Sequence, residues 1–377
     1  MIVVACLIAI AIPAGVLYGI YRLNLYKTGE FKVVMFCSAA GVAAYIIAAL
    51  INPLPRRLGW IDYNTMVRFL APVVEETLKA LILFYIVRRP KFTYFVDGAV
   101  YGFAVGIAFA VIENYEYIFG HPSAAMAVAV NRVVSTNLMH AAACATVGIV
   151  MGWARSQKTF PRIAFSLGGV LLAMALHMGF NNLVTRVNNG WLLVYAVLVG
   201  GGAAGLIALM IRRGFKDEQS WMQDTLGIDE RVEAQEVAAV QNISKVDEVY
   251  KRVAVRFGPE TAEKIKKLLI VQAHLGIQKK SAEKTPDEKL RAGIDVEIAR
   301  LRREMEAARR EIGSYAMAYL RYTHLEEMFS VYAALGLKLQ ELAAQPKNPG
   351  MNVYDRLGQR MVPLAENKTD KPAGKNS

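Results

Sequence analysis

No CxxC pair occurs in this chain, and its three cysteines, Cys6, Cys37 and Cys144, lie scattered through apolar runs. That spacing excludes a disulfide scaffold. Cys144 follows His140 by one helical turn, yet it reads as a small buried hydrophobe rather than a nucleophile. HExxH is also missing, which removes the helix-borne zinc motif that would by itself identify a metalloprotease. Charge is sparse across long stretches before residue 212. The excess of 44 Lys+Arg over 32 Asp+Glu comes largely from residues flanking those stretches, where it can meet anionic lipid. It requires no nucleic-acid partner.

What is abundant is apolar: hydrophobic residues make up 54% and the mean hydropathy is +0.28, too apolar for an ordinary soluble enzyme. The expected fold is an all-α polytopic bundle. About seven transmembrane helices fall at 1–20, 33–51, 69–87, 96–119, 133–153, 163–184 and 191–211. The first segment has no basic n-region, runs too long for a signal peptide, and carries its positive charge afterwards at Arg22, Lys27 and Lys32, so it reads as a span. The first, third and fifth connections are the basic ones (Arg22, Lys27, Lys32; Arg88, Arg89, Lys91; Arg155, Lys158, Arg162). The even ones hold fewer in total: Arg56 with Arg57, and Arg68 at the edge of the next span, then Arg132, and Arg186. The positive-inside rule then sets the N-terminus outside and the C-terminal region, opening with Arg212, Arg213 and Lys216, in the cytoplasm of a cell bounded by its plasma membrane.

The third span contradicts its own hydropathy, because Glu75, Glu76 and Lys79 interrupt it. A charge at membrane depth costs about 2.5–3.5 kcal/mol on the insertion scale, so it needs partners or a task. Lys79, three and four residues after the acids, can reach both on a helix. The fourth span repeats small residues at Gly98, Gly102, Gly106 and Ala110, a stripe that admits a close helix neighbour. It leads to Glu113 and Asn114, with Tyr117 one turn on and Glu116 near enough to the end to snorkel. His140 has Asn137 one turn before it, and His177 has Asn181 one turn after it.

Helices alternate in direction and rise about 1.5 Å per residue, so depth can be measured from the outer end of each span. Glu113 and His140 come out about 10 Å deep, and Glu75, Glu76 and His177 about 9–14 Å. Four helices therefore bring their strongly polar side chains to one level in the outer half of the bilayer. One buried polar site is the economical inference.

Carboxylates with imidazoles can activate water, an amide can donate to an oxyanion, and histidines can bind metal, which together suit peptide-bond hydrolysis. The same groups suit a proton-coupled transporter or receptor, in which Glu and His pass protons across a bundle. Residue types alone leave both open.

Glu75-Glu76-Thr77-Leu78-Lys79, Glu113-Asn114-Tyr115-Glu116-Tyr117, His140 near the start of a span, and His177-Met178-Gly179-Phe180-Asn181 together resemble the PrsW family of intramembrane proteases, over roughly residues 65–190. That family is related to the CAAX-processing and bacteriocin-processing membrane proteases. Two features favour PrsW over its cousins: Lys79 stands at the third position after the acid pair, where they carry Arg one place later, and no Phe precedes His140 by four residues. The resemblance implies cleavage of a membrane-anchored protein near the outer leaflet. It further implies that Glu75 or Glu76 polarises water, His140 assists, His177 with Asn181 stabilises the oxyanion, and Glu113 completes the set. Zinc or another divalent metal on His140, His177 and a glutamate such as Glu113 would satisfy a catalytic ligand count, and a metal-free Glu/His site is the other possibility.

After residue 212 the composition turns charged and helix-prone. We divide the chain into a transmembrane protease domain (1–212), a cytoplasmic helical, partly coiled-coil domain (213–345) and a disordered tail (346–377). Thr285-Pro286-Asp287-Glu288 has the form of a capping box with proline at the first helical position. Ile294, Ile298, Leu301, Met305, Ala308, Ile312, Tyr315 and Tyr319 follow as a seven-residue seam, which needs a partner surface: a hairpin within the tail, a homo-oligomer or an adaptor. Nothing in this half is assignable to chemistry.

Overall fold

The computed structural model describes residues 1–23, 31–184, 194, 201–227, 230–241 and 243–321. Every regular element among them is helical. Contacts divide the chain into two units, Met1–Ala318 and Tyr319–Ser377. The second unit lies almost entirely outside the described residues, as do the expected disordered stretch 346–377 and residues 191–193 and 195–200 of the expected last span.

The membrane part comprises α1 (Ile2–Leu23), α2 (Phe31–Ile51), the short α3 (Pro53–Arg57) and α4 (Tyr63–Thr65), a π-helical turn (Met66–Leu70), α5 (Ala71–Val87), α6 (Phe95–Gly120), α7 (Ala125–Val134), α8 (Thr136–Ala154) and α9 (Thr159–Val184). Among the described residues five stretches are long and apolar enough to cross a membrane: Ile2–Tyr21, Phe31–Arg57, Phe95–Gly120, Pro122–Ala154 and Thr159–Val184. This is a multi-pass membrane protein. Helix α5, 17 residues long and interrupted by three charges, falls outside that set, yet it is packed among α2, α6, α8 and α9, which supply partners that lipid cannot. The span expected over 133–153 begins earlier, since α7 leads into α8 through a single irregular residue, Ser135.

Helix α6 is the axis of the bundle, with 89% of its most apolar stretch buried against 17% for α1 and 22% for α9, which turn large aliphatic side chains outward. Lipid tails are as apolar as leucine, so helices in a bilayer associate through close packing. The α6 stripe provides it: a Cβ placed on Gly98, Gly102 or Gly106 would lie 2.1, 2.2 or 2.3 Å from the carbonyl oxygens of Gly148, Cys144 and His140 on α8. No side chain fits there. Helix α6 starts sharply after Arg88-Arg89-Pro90, and Asp97 in its first turn accepts from the backbone N–H and hydroxyl of Thr93 at 2.9 and 2.5 Å.

Beyond the membrane helices come α10 (Gly201–Thr225), α11 (Ala234–Gln241), α12 (Ile243–Phe257), α13 (Pro259–Lys284), α14 (Glu288–Ile312) and α15 (Ser314–Arg321). Gly258, with φ +86°, separates α12 from α13. The heptad positions Ile294, Ile298, Leu301, Met305, Ala308 and Ile312 are buried, and α14 packs on α13 of the same chain as a helical hairpin. The seam stops at Gly313, where φ +82° ends the helix, leaving Tyr315 exposed. The capping residue is Asp287 rather than Thr285: its carboxylate accepts from Leu290 N–H at 3.1 Å, while the Thr285 hydroxyl donates to Ser281 O. The hairpin is docked on the connection between α5 and α6. Gln278 and Ser281 donate to the carbonyls of Pro90 and Thr93, Tyr94 meets Trp221 and Asp217, and Arg162 pairs with Asp287 at 3.0 Å.

Candidate active site

Pro72 sits in the first turn of α5, where its missing N–H costs nothing, and the π turn before it sets the entry of the helix. One turn on, Glu75 and Glu76 project into the bundle, both buried. Glu76 Oε1 accepts from Lys79 Nζ at 2.6 Å and from His177 Nδ1 at 2.9 Å. Lys79, fully sequestered, also lies 3.0 Å from His140 Nδ1 and 4.2 Å above the Phe109 ring. His140 Nε2 lies 3.0 Å from Glu113 Oε2, which in turn pairs with Arg132 at 2.9 Å. The imidazoles of His140 and His177 meet edge to face, 4.7 Å between centroids.

These partners determine the tautomers. An ammonium can only donate, so His140 Nδ1 is the acceptor and its Nε2–H donates to Glu113. His177 donates Nδ1–H to Glu76, which leaves its Nε2 lone pair facing Glu75 Oε2 at 3.9 Å. Glu76 Oε1 thus has two strong donors, whereas Asn52 donates to Glu75 Oε1 at 3.2 Å and the buried Glu75 Oε2 has no hydrogen-bond partner. A buried carboxylate oxygen without a donor costs at least about 1–3 kcal/mol. The fold retains one beside two imidazoles.

The side chains of Glu75, His140 and His177 bring one ligand atom each to within 4.8 Å of one another. A carboxylate with two imidazoles is a suitable donor set for a catalytic divalent metal, and the unpartnered Glu75 oxygen and free His177 lone pair are ready ligands. His140 would exchange its Lys79 contact to join them. Glu113, the glutamate expected at sequence level to join the histidines on a metal, instead holds His140 from behind and faces Arg132.

Asn181 lies one turn beyond His177, and its Nδ2 donates to Val67 O in the π turn at 2.8 Å, tying α9 to the start of α5. Asn137 accepts from Asn114, which accepts from Arg132 Nε. Cys144 Sγ is 4.0 Å from Glu76 Oε2, and Glu116 accepts from the Tyr45 hydroxyl. Two participants have no role that the sequence alone predicts: Arg132, which reads as a loop charge, and Asn52. Arg132 lies eight residues before His140. That is about two turns, the same face of a nearly continuous helix, and this spacing was the available signal.

Residues 29–201 match the family described as PrsW family intramembrane metalloprotease. Protease PrsW of Clostridioides difficile (strain 630) is 31% identical over 140 residues, covering 34% of this chain and 57% of the relative. Protease PrsW of Bacillus subtilis (strain 168) is 28% identical over 121 residues, covering 31% and 52%. The chain thus spans about half the length of the curated relatives it matches. No solved structure matches it. Over residues 29–201, just under half of its length, this chain is thus similar to the PrsW family of intramembrane metalloproteases.

Proposed function

We propose that the chain is an intramembrane endopeptidase that hydrolyses a peptide bond of a membrane-anchored protein, close to the bilayer face remote from the helical hairpin. The observation that carries this reading is the unpartnered Glu75 Oε2 set beside His177 Nε2 in a buried cluster. Glu75 takes the proton from water as the oxygen attacks the carbonyl carbon, and returns it to the departing amine nitrogen as the C–N bond breaks. Glu76 is the positioning acid, holding the His177 tautomer and neutralised by Lys79. Glu113, backed by Arg132, orients His140. Asn181 supplies an amide to the developing oxyanion once it leaves Val67 O. Glu75, His140 and His177 would alternatively hold a divalent ion such as zinc, which when bound would polarise the water itself and leave Glu75 a ligand rather than the base. Glu75 and Glu113 keep side-chain exposures of 11% and 18%, and through this edge a substrate enters.

Catalysis resides in residues 1–212. The helical region 213–345, whose hairpin α13–α14 docks at the opposite end of the bundle, supplies no catalytic group and serves recruitment, regulation or self-association. The N-terminus faces outward and the hairpin lies in the cytoplasm of the cell. The test is purified protein in proteoliposomes with single-span candidate substrates. Glu75→Gln should lower cleavage by about 10²–10⁴, and Glu76→Gln and Glu113→Gln by about 10–100 as supporting groups. Folding should stay intact in Glu75→Gln, whose carboxylate is not half of the buried Glu76–Lys79 ion pair. Unimpaired cleavage by Glu75→Gln refutes the assignment, and solute or proton flux without proteolysis replaces it with a transporter.

A further inference from the structure

At the hairpin end of the bundle, remote from the acid–imidazole cluster, a cavity of about 400 Å³ opens between α5, α8, α9 and the start of α14. Its lining includes Arg88, Arg155, Arg162 and Lys289, against the single carboxylate of Asp287, which already pairs with Arg162. Arg155 is only 4% exposed. One of its guanidinium nitrogens donates to the carbonyl of Phe92, but Nε and Nη2 are buried with no hydrogen-bond partner. A guanidinium is the side chain best shaped to bind two oxygens of a phosphate side by side, and leaving two of its nitrogens buried and unanswered is costly. The cavity also has an apolar side, Phe84 and Ile163, which lie at the ends of α5 and α9 and are 41% and 50% exposed.

We propose that this cavity binds the phosphate of an anionic phospholipid, with Arg155 as its buried anchor, Arg88 and Lys289 as the outer cations, and the glycerol and acyl chains leaving past Phe84 and Ile163. Basic pockets between membrane helices at the cytoplasmic face are suited to such headgroups. Lys289 belongs to the hairpin while Arg88 and Arg155 belong to the membrane helices, so the bound lipid joins the two parts and makes their docking depend on membrane composition. A free phosphate ester shares the headgroup chemistry but has no use for the apolar side.

The experiment is native mass spectrometry of the full chain in detergent with equal amounts of phosphatidylglycerol and phosphatidylcholine. The chain should retain phosphatidylglycerol selectively. Arg88 and Lys289 are exposed, so Arg88→Gln/Lys289→Gln should fold normally and weaken that retention roughly fivefold per group, about 25-fold together. Arg56→Gln/Arg57→Gln removes equal charge at the other end of the bundle and should leave retention unchanged. Equal retention of both lipids, or equal losses in the two double variants, overturns the proposal. So does glycerol 3-phosphate binding as tightly as the lipid, which would assign the site to a soluble phosphate ester.

Discussion

Replacing Gly106 by alanine tests how the fold serves the site. The added Cβ would sit 2.3 Å from His140 O and 3.0 Å from Ala141 Cα, whereas ordinary contact begins near 3.4 Å. Both neighbours are backbone, so neither can rotate away, and α6 and α8 must part locally by about 1 Å. The His140–Glu113 hydrogen bond crosses this same helix pair at 3.0 Å, and an added ångström takes it beyond bonding reach. Overpacking of this kind costs about 1–3 kcal/mol, and a 1 Å misplacement of a catalytic group about 10²-fold in rate. Gly102→Ala creates the same clash, 2.2 Å from Cys144 O, one turn farther from the imidazole. Both variants should therefore unfold earlier by similar amounts in detergent melts, while the initial rate on a reconstituted single-span substrate falls more for Gly106→Ala. Wild-type melting and wild-type rate in Gly106→Ala would refute both the helix contact and its link to His140.

Lys79→Met leaves Glu76 buried without its cation and should destabilise the chain by about 3–5 kcal/mol, with partial recovery in Lys79→Met/Glu76→Gln; a variant as stable as the parent in detergent unfolding contradicts the pairing. The fit of Glu75, His140 and His177 to a divalent ion predicts about one equivalent of metal by elemental analysis, lost in His177→Ala, and cleavage that a chelator stops and added metal restores. Chelator-resistant cleavage by a metal-free sample would assign the chemistry to the carboxylate and imidazoles alone. Against the hairpin, burial raises the Glu230 carboxyl between α10 and α11, but hydrogen bonds and charge from Arg302 and Lys279 outweigh it and hold the group below its ordinary 4.5. Its stabilisation is thus present above about pH 4.5 and lost as pH falls through the lower folded value. Melting of the full chain across this range should be less acid-sensitive in Glu230→Gln, and equal sensitivity would refute the role.

Much of this architecture was legible from residue spacing. Runs of about twenty apolar residues mark helices, and the four-residue repeat of Gly98, Gly102 and Gly106 marks the face on which α8 lies, because only glycine tolerates a carbonyl so close. Alternating helix direction set the acids and imidazoles at one depth, and the structure brings Glu76, His140, His177 and Glu113 into one hydrogen-bonded cluster. Which atom faces which was not legible. Periodicity allowed Lys79 to reach Glu75 or Glu76, whereas its contact with His140 depends on how α5 and α8 cross. The unequal state of Glu75 and Glu76 likewise arises from Asn52 and His177 on other helices. The start of α14 shows a local failure: Thr285 and Asp287 both satisfy capping chemistry, and the Arg162–Asp287 pair across the docking surface accompanies the choice of Asp287.

The central claim is that water is added to a peptide bond inside the membrane at Glu75. Its most direct measurement is mass spectrometry of products formed in ¹⁸O-labelled water from a single-span substrate in proteoliposomes. The account predicts one cut at or within the span, on the side remote from the hairpin, with label in the new carboxylate and neither fragment formed by Glu75→Gln. Labelled fragments in undiminished yield from Glu75→Gln, or cleavage confined to the hairpin side, would contradict it.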